Sequence, residues 1–396
     1  MDVIKEPVKT PLHLAQPLDQ AAEWILRAAQ VRSANPEHDG GFISWYDTET
    51  QTPAYVYSEI SGYMLTLLAS LWERTGDERF RESAIRCGEW FLRTVHEPTG
   101  GYRCLFPLSP NRFAFKQDLI YTFDGGVILS GLVNLYRITE RPAFLAAAVT
   151  LGDWLIGPMQ KPSGAFLPLL DLRDGSTPEN EHEWSLCSGS YHTKIAIGLT
   201  NLYDITRAEK YKRAALAACE YALSFQQPDG RFVSFPNEGG TNVHPHCYSA
   251  EGLWVVGSYF ERQEYLEASA RATAWVWSQQ AEDGLVPRHY HNNGPLYSER
   301  VDILCQALRL ALIHRAEGRL PASIDAQIAR LIPIIQRNQA QSSDPQADGA
   351  FYFGRQSDGS LTPHANCWVT QFALQALLLE QEYRAGRFDF APFEMV

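Results

Sequence analysis

Two acids stand where apolar helical segments begin. Glu59 lies in "YVYSEISGYMLTLLASLW", between Tyr57 and Tyr63, and Asp124 lies in "YTFDGG", beside Tyr121 and Phe123. Two carboxylates in a desolvating aromatic surround, one protonated and one ionised, can act as general acid and as base or nucleophile in glycoside cleavage. An acid in a first helical turn also has an ordinary structural role, worth roughly 0.3–1 kcal/mol against the helix dipole. The flanking tyrosines tilt the balance toward chemistry.

Histidines form the second set. His192 and His246 are candidates to move protons near neutral pH, joined by His244, His289, His291 and His364 near repeat junctions. Two imidazoles across a sugar could run an epimerisation. The Tyr191–His192 pair could run β-elimination on a uronic acid. Each histidine also has the commoner role of a satisfied core residue. Cys187, Cys247 and Cys367 fall near His192, His246 and His364, and thiolate with imidazole suits zinc. No close-spaced ligand pair accompanies them, so packing as small apolar side chains is the favoured role, and neither a metal nor a cofactor is expected.

These residues need a frame, and the chain supplies one by repetition. Six Gly-containing turns recur: "DGGFISWYD" from Asp39, "TGGYRCLFP" from Thr99, "SGAFLPLLD" from Ser163, "DGRFVSFP" from Asp229, "DGLVPRHY" from Asp283 and "DGAFYFGR" from Asp348. Charged amphipathic helices precede the turns. More apolar helices follow them, over 55–74, 118–138, 184–205, 244–260, 297–317 and 364–383, and helices apolar all round belong inside. The expected fold is all-α, an (α/α)6 toroid of six helical hairpins with short strand-like turns. No linker interrupts the repeat, so residues 1–396 are expected to form a single domain, with 1–16 as an N-terminal extension. An open solenoid would need a polar end cap, which the apolar last helix does not offer.

A shared helix-end signal sets the register. Thr75, Thr139 and Thr206 close three inner helices, and Glu59, Asp124 and Tyr191–His192 lie 14–16 residues before them. That places all of them roughly 21–24 Å along the helix, at one mouth of the barrel. The remaining repeats bring Tyr248 and Glu251, then Glu299 and Arg300, then His364 and Trp368 to the same level, with Trp45, Tyr102, Arg103 and Arg288 from the turns. Acids, imidazoles and aromatic faces at one mouth describe a pocket for sugar rings. Glu59, Asp124, His192 and His246 are the catalytic candidates. Tyr57, Tyr63, Tyr121, Tyr191, Tyr248, Glu251, Glu299, Arg300, His364 and Trp368 are the substrate-binding ones. Each residue turns a helix by about 100°, so about half of these are expected to line the pocket.

The hairpin repeat resembles the (α/α)6 toroids of carbohydrate-active enzymes, the six-hairpin glycosidase-like superfamily, over nearly the whole chain. "YSEISGYMLTLLASLWERTGDERF", "FDGGVILSGLVNLY" and "CWVTQFALQALLLEQ" are similar to a bacterial group of such toroids associated with polysaccharide pathways. The setting of Asp124 resembles that of an acid in unsaturated glucuronyl hydrolases, although their adjacent His-Asp and Met/Asn-rich helix are absent. "HPHCYSAEGLW" resembles a helix start of N-acylglucosamine 2-epimerases, with Glu251 five residues after His246 where their spacing is three. "QQPDGRF" and "QQAEDGL" resemble the Q-x-x-D-G turns of terpene cyclases in hairpin shape, without the cyclases' Asp-rich motif.

Bulk properties narrow the class. A net charge of −12 over 396 residues argues against a broad nucleic-acid or acidic-membrane surface. No stretch approaches about 18 uninterrupted apolar residues, the start lacks a signal-peptide core, and seven scattered cysteines suit a reducing cytoplasm. The expected function is a cytoplasmic glycoside hydrolase acting on an oligosaccharide or polysaccharide through Glu59 and Asp124. A sugar epimerase or uronate lyase, or a non-catalytic glycan-binding protein, are the alternatives. The oligomeric state, the sugar and the linkage are left open.

Overall fold

The computed structural model describes residues 14–96, 98–109, 112–235, 239–291, 294–356 and 358–396. Most of the expected N-terminal extension lies outside them. Twelve α-helices alternate between two concentric layers. The outer layer holds α1 (Gln16–Trp24, continued by a wider turn to Ala29), α3 (Glu78–Thr94), α5 (Pro142–Ile156), α7 (Glu209–Leu223), α9 (Gln263–Ser278) and α11 (Ile324–Gln336). The inner layer holds α2 (Ser58–Thr75), α4 (Thr122–Thr139), α6 (Thr193–Thr206), α8 (Val243–Tyr259), α10 (Val301–Ala316) and α12 (Cys367–Arg384). This is the (α/α)6 toroid. No helix among the described residues is long and apolar enough to cross a membrane.

The Thr register is real and local. Thr75, Thr139 and Thr206 each donate from Oγ1 to the carbonyl four residues back at 2.7 Å. The next residue, Gly76, Glu140 or Arg207, is left-handed and stops the helix. The starts differ from expectation. Tyr55–Tyr57, Leu119–Tyr121 and His364–Asn366 are short strands that precede α2, α4 and α12, and residues 184–186 and 190–192 are single 3-10 turns before α6. The β-favouring Tyr-Val-Tyr and Leu-Ile-Tyr runs explain the first two.

Each Gly turn leans on the outer helix of the following hairpin. Gly40, Gly230 and Gly349 have positive φ, and a Cβ there would come within about 2.5–2.6 Å of the carbonyls of Arg86 in α3, Arg271 in α9 and Gln20 in α1. A glutamine stitches each such contact. Gln226 Nε2 donates to Gly230 O (3.0 Å) and to Ala268 O in α9 (2.8 Å). Gln30, Gln160 and Gln280 make the same pair of bonds to their own turns and to α3, α7 and α11. Gln339 donates to Gly349 O (3.1 Å) and to Pro17 O in α1 (2.7 Å), joining the last hairpin to the first. In the second hairpin His96 stands in the glutamine's place and bonds Thr99 instead. The antiparallel pairing of Trp45–Asp47 with His364–Asn366 completes the closure.

Inner helices approach closely where they carry glycine. A methyl group at Gly62 in α2 would sit 2.8 Å from Ile128 Cα in α4, and one at Gly126 in α4 would sit 2.6 Å from Ile195 Cα in α6. These contacts draw the helix starts bearing Glu59 and Asp124 together. Residues 388–396 turn back and fill the far end of the barrel. Asn134 Nδ2 donates to Phe393 O (2.9 Å), and Lys194 Nζ to Val396 O (2.8 Å).

Removing the closing stitch tests the ring. Gln339→Ala removes two part-buried hydrogen bonds and is expected to cost about 1–3 kcal/mol, as much as Gln226→Ala in mid-chain, by denaturant unfolding. A negligible effect of Gln339→Ala beside a full effect of Gln226→Ala would mean that the ring does not close in solution.

Candidate active site

The starts of α2, α4, α6, α8 and α12, with the segments that precede them, line a cavity of about 340 Å³. The strands before α2, α4 and α12 deliver Tyr55, Tyr57, Tyr121 and His364 to it. First helical turns deliver Glu59, Asp124 and Trp368, and the turns before α6 deliver Trp184, Ser185 and Tyr191. The walls are aromatic. Trp45 stacks on His364 (4.7 Å between centroids, 14° between planes) and meets Tyr55 edge-on. Phe123 packs against both Tyr191 (5.6 Å) and Tyr248 (4.8 Å). Such faces suit the apolar C–H sides of sugar rings, while the acids and imidazole between them suit the hydroxyls.

Glu59 and Asp124 are 2% and 3% exposed. Glu59 Oε1 and Asp124 Oδ2 are both buried and without a hydrogen-bond partner among the described residues. Burial pushes the Glu59 carboxyl up to about 7, against the opposing pull of a Tyr57 hydrogen bond and the charges of Lys116 and Lys194. Asp124 is driven well above the carboxylate range by burial first and by the Glu59 charge second, with Lys116 opposing. Two acids that share a dry wall cannot both ionise cheaply, so the pair retains a proton at neutral pH.

Of the other residues singled out by sequence, Tyr57, Tyr121, Tyr191, Tyr248, His364 and Trp368 line the same cavity. The remainder lie elsewhere. Tyr63 is one turn below Glu59, packed edge-on against Phe372. Glu251 is deeper in the barrel, 2.6 Å from Lys194 Nζ and paired with Arg309, all three buried. Lys194 also lies under the rings of Tyr63 (5.5 Å) and Tyr248 (5.4 Å). His246 faces outward: its Nδ1 accepts from Phe232 N–H (3.0 Å) and its Nε2–H donates to Ala272 O in α9 (3.0 Å). That pairing fixes it as a link between layers. His192 is buried between Tyr191 and Phe166, and burial holds it down to about 3. Glu299 pairs with Arg337 and accepts from Asn338 (2.6 Å). Arg300 chelates Asp302 and covers Phe353 (4.0 Å). All seven cysteines are buried free thiols, and among the described residues no three His, Cys, Asp or Glu side chains group as a metal site. The cysteine–histidine pairs considered for zinc thus do not assemble.

Sequence reasoning missed Arg112 and Phe113, which enter the cavity from a turn ahead of α4, Lys116 from the short 3-10 stretch Ala114–Asp118 that follows it, and Trp184 with Ser185 ahead of α6. Their place in chain order, immediately before inner-helix starts, was the available signal.

Burial of Glu59 predicts a pH signature. In the folded state its proton is kept up to about pH 7, whereas the unfolded chain releases it near 4.5. The native state therefore binds more protons across that window, and stability falls as pH rises through it. Glu59→Gln removes this contribution. It is expected to gain on wild type by about 1.4 kcal/mol per pH unit at most between pH 4.5 and 7, and nothing below, in denaturant unfolding. A pH-independent difference would place Glu59 in a solvated or paired environment.

Comparison with known proteins agrees with this architecture. A family model described as glycosyl hydrolase family 47 matches residues 111–250, about a third of the chain and the part that carries Asp124. Curated protein sequences provide no significant match. Among solved structures, cellobiose 2-epimerase from Bacillus thermoamylovorans superposes with a TM-score of 0.73 at 13% identity, covering 90% of this chain and 98% of its own. Unsaturated glucuronyl hydrolase from a Bacillus species gives 0.67 at 15% identity, covering 92% and 96%. An α-amylase from Clostridium perfringens gives 0.66 at 12% identity, covering 93% and 98%. At these identities the likeness is one of fold.

Proposed function

We propose that this chain is a carbohydrate-active enzyme that hydrolyses a glycosidic bond in its aromatic cavity, as a single domain. The observation that carries the proposal is the pair of buried acids, Glu59 and Asp124, each presenting an unpartnered oxygen, with protonation divided between them. Asp124 gives its proton to the departing glycosidic oxygen. Glu59, whose charge Lys116, Lys194 and a Tyr57 hydrogen bond favour, takes a proton from the attacking water as its hydroxyl adds to the anomeric carbon. The aromatic walls dry the site and hold the ring. Relatives in fold named for an epimerase, a glucuronyl hydrolase and an amylase support a sugar as substrate. Seven reduced cysteines support a cytoplasmic location.

Epimerisation or elimination is the second reading, favoured by Tyr191 and His364 on the cavity wall. His192 and His246, which sequence reasoning assigned to that chemistry, do not line it.

A labelled oligosaccharide library incubated in H₂¹⁸O and in D₂O, followed by mass spectrometry, separates the readings. Hydrolysis puts ¹⁸O into a shortened product. Glu59→Gln and Asp124→Asn are each expected to lose about 10²–10⁴-fold in turnover. Full activity in both variants sinks the assignment, deuterium gained by unshortened sugar supports epimerisation, and binding without any product supports a non-catalytic glycan receptor.

A further inference from the structure

The barrel wall built by α8, α10 and α12, across the ring from the two acids, carries polar groups that the hydrolytic step does not use. His244, in the first turn of α8, is 4% exposed. Its Nδ1 lies 2.6 Å from Gln306 Oε1 and 3.7 Å from Asp302 Oδ2. Both neighbours are acceptors, so Nδ1 carries the ring proton and Nε2 presents a lone pair. Arg300 holds Asp302 ionised through a two-nitrogen contact, which strengthens that tautomer. His244 Nε2, Gln306 Nε2 and Trp368 Nε1 are all buried and have no hydrogen-bond partner among the described residues.

The His244 ring is enclosed by Tyr248 (4.5 Å), Trp368 (5.2 Å) and Trp184 (6.0 Å), and all three line the cavity. Buried polar atoms without partners are rare in native proteins. Trp368 lies in the cavity lining and His244 and Gln306 lie behind it, so one acceptor and two donors stand without partners on this side of the cavity, a set that the hydroxyls of a sugar ring, each able to donate and accept, would satisfy.

We propose that His244, Gln306 and Trp368 form a hydroxyl-recognition subsite, in which His244 Nε2 accepts from one ring hydroxyl while Trp368 Nε1–H and Gln306 Nε2–H donate to its neighbours. The inference rests on the hydrolytic reading above and adds a specificity determinant to it. Burial holds His244 down to about 4, so the ring stays neutral and Nε2 stays an acceptor throughout the neutral range. A sugar lacking that hydroxyl would leave the lone pair stranded in a dry site, and sites of this kind reject the deoxy analogue strongly.

The test uses 4-nitrophenyl hexosides and their monodeoxy analogues, read by nitrophenol release. Wild type is expected to prefer one hexoside over one of its deoxy forms by about a hundredfold or more. His244→Met should shrink that ratio by about tenfold or more while leaving turnover of the deoxy form unchanged. His244→Gln, which keeps an acceptor, should retain part of the ratio. An equal loss on both substrates makes His244 structural and overturns the inference. Ring-¹⁵N NMR of the Glu59→Gln variant gives a second readout that needs no His244 substitution. The Nε2 resonance should move when a hexoside binds, and an unmoved resonance with sugar bound overturns the inference. Cleavage without deoxy discrimination defeats this subsite alone, whereas a panel neither bound nor cleaved defeats the hydrolytic reading with it.

Discussion

One side chain, used repeatedly, holds this molecule in register: the glutamine that bonds its own turn and the next outer helix together. Five hairpins have it, and Gln339 applies it between the last hairpin and the first. The carbonyls that these glutamines satisfy are buried at Gln30 and part-buried at the other four, so each bond is directional and costly to lose. Because each turn is fixed to the following outer helix, the strand that leaves the turn is fixed too, and so is the inner-helix start it feeds. The position of Glu59 thus depends on a contact at the rim of the ring, well away from the cavity.

Close helix approach does the rest. Gly62 and Gly126 let α2, α4 and α6 draw near enough for their first turns to share one dry wall. That wall carries two carboxyls, each with an oxygen that no group among the described residues satisfies. A fold selected only for stability would pair or neutralise them, as it has paired Glu251 with Lys194 and Arg309 one layer deeper. The contrast between an ion-paired buried acid below and acids with unpartnered oxygens above marks the end of the barrel where the proposed chemistry would take place.

The fold was legible because its signals are short-range and repeated: six Gly turns, alternating amphipathic and apolar helices, and threonines that cap inner helices. The glutamine stitches were also present in "QQPDGRF" and "QQAEDGL", as residues four before each turn glycine, but their partners are far apart in sequence. The site was legible in part. Glu59 and Asp124 share a level and a face because α2 and α4 begin alike, each after a three-residue strand. His246 shares the level without the face, since a helix turns by about 100° per residue and the count along the chain does not resolve angle, and Glu251 lies about two turns into α8. Lys116 and Trp184 enter on one-turn segments without periodicity, which sequence pattern alone does not orient.

The central claim is that the Glu59–Asp124 pair keeps a proton at neutral pH, with Asp124 as the acid of the proposed hydrolysis. Infrared difference spectroscopy of the full chain at pH 7, wild type against Asp124→Asn, measures this directly. A protonated carboxylic acid band present in wild type and lost in the variant is the predicted result. A difference spectrum showing only the loss of an ionised carboxylate would contradict it.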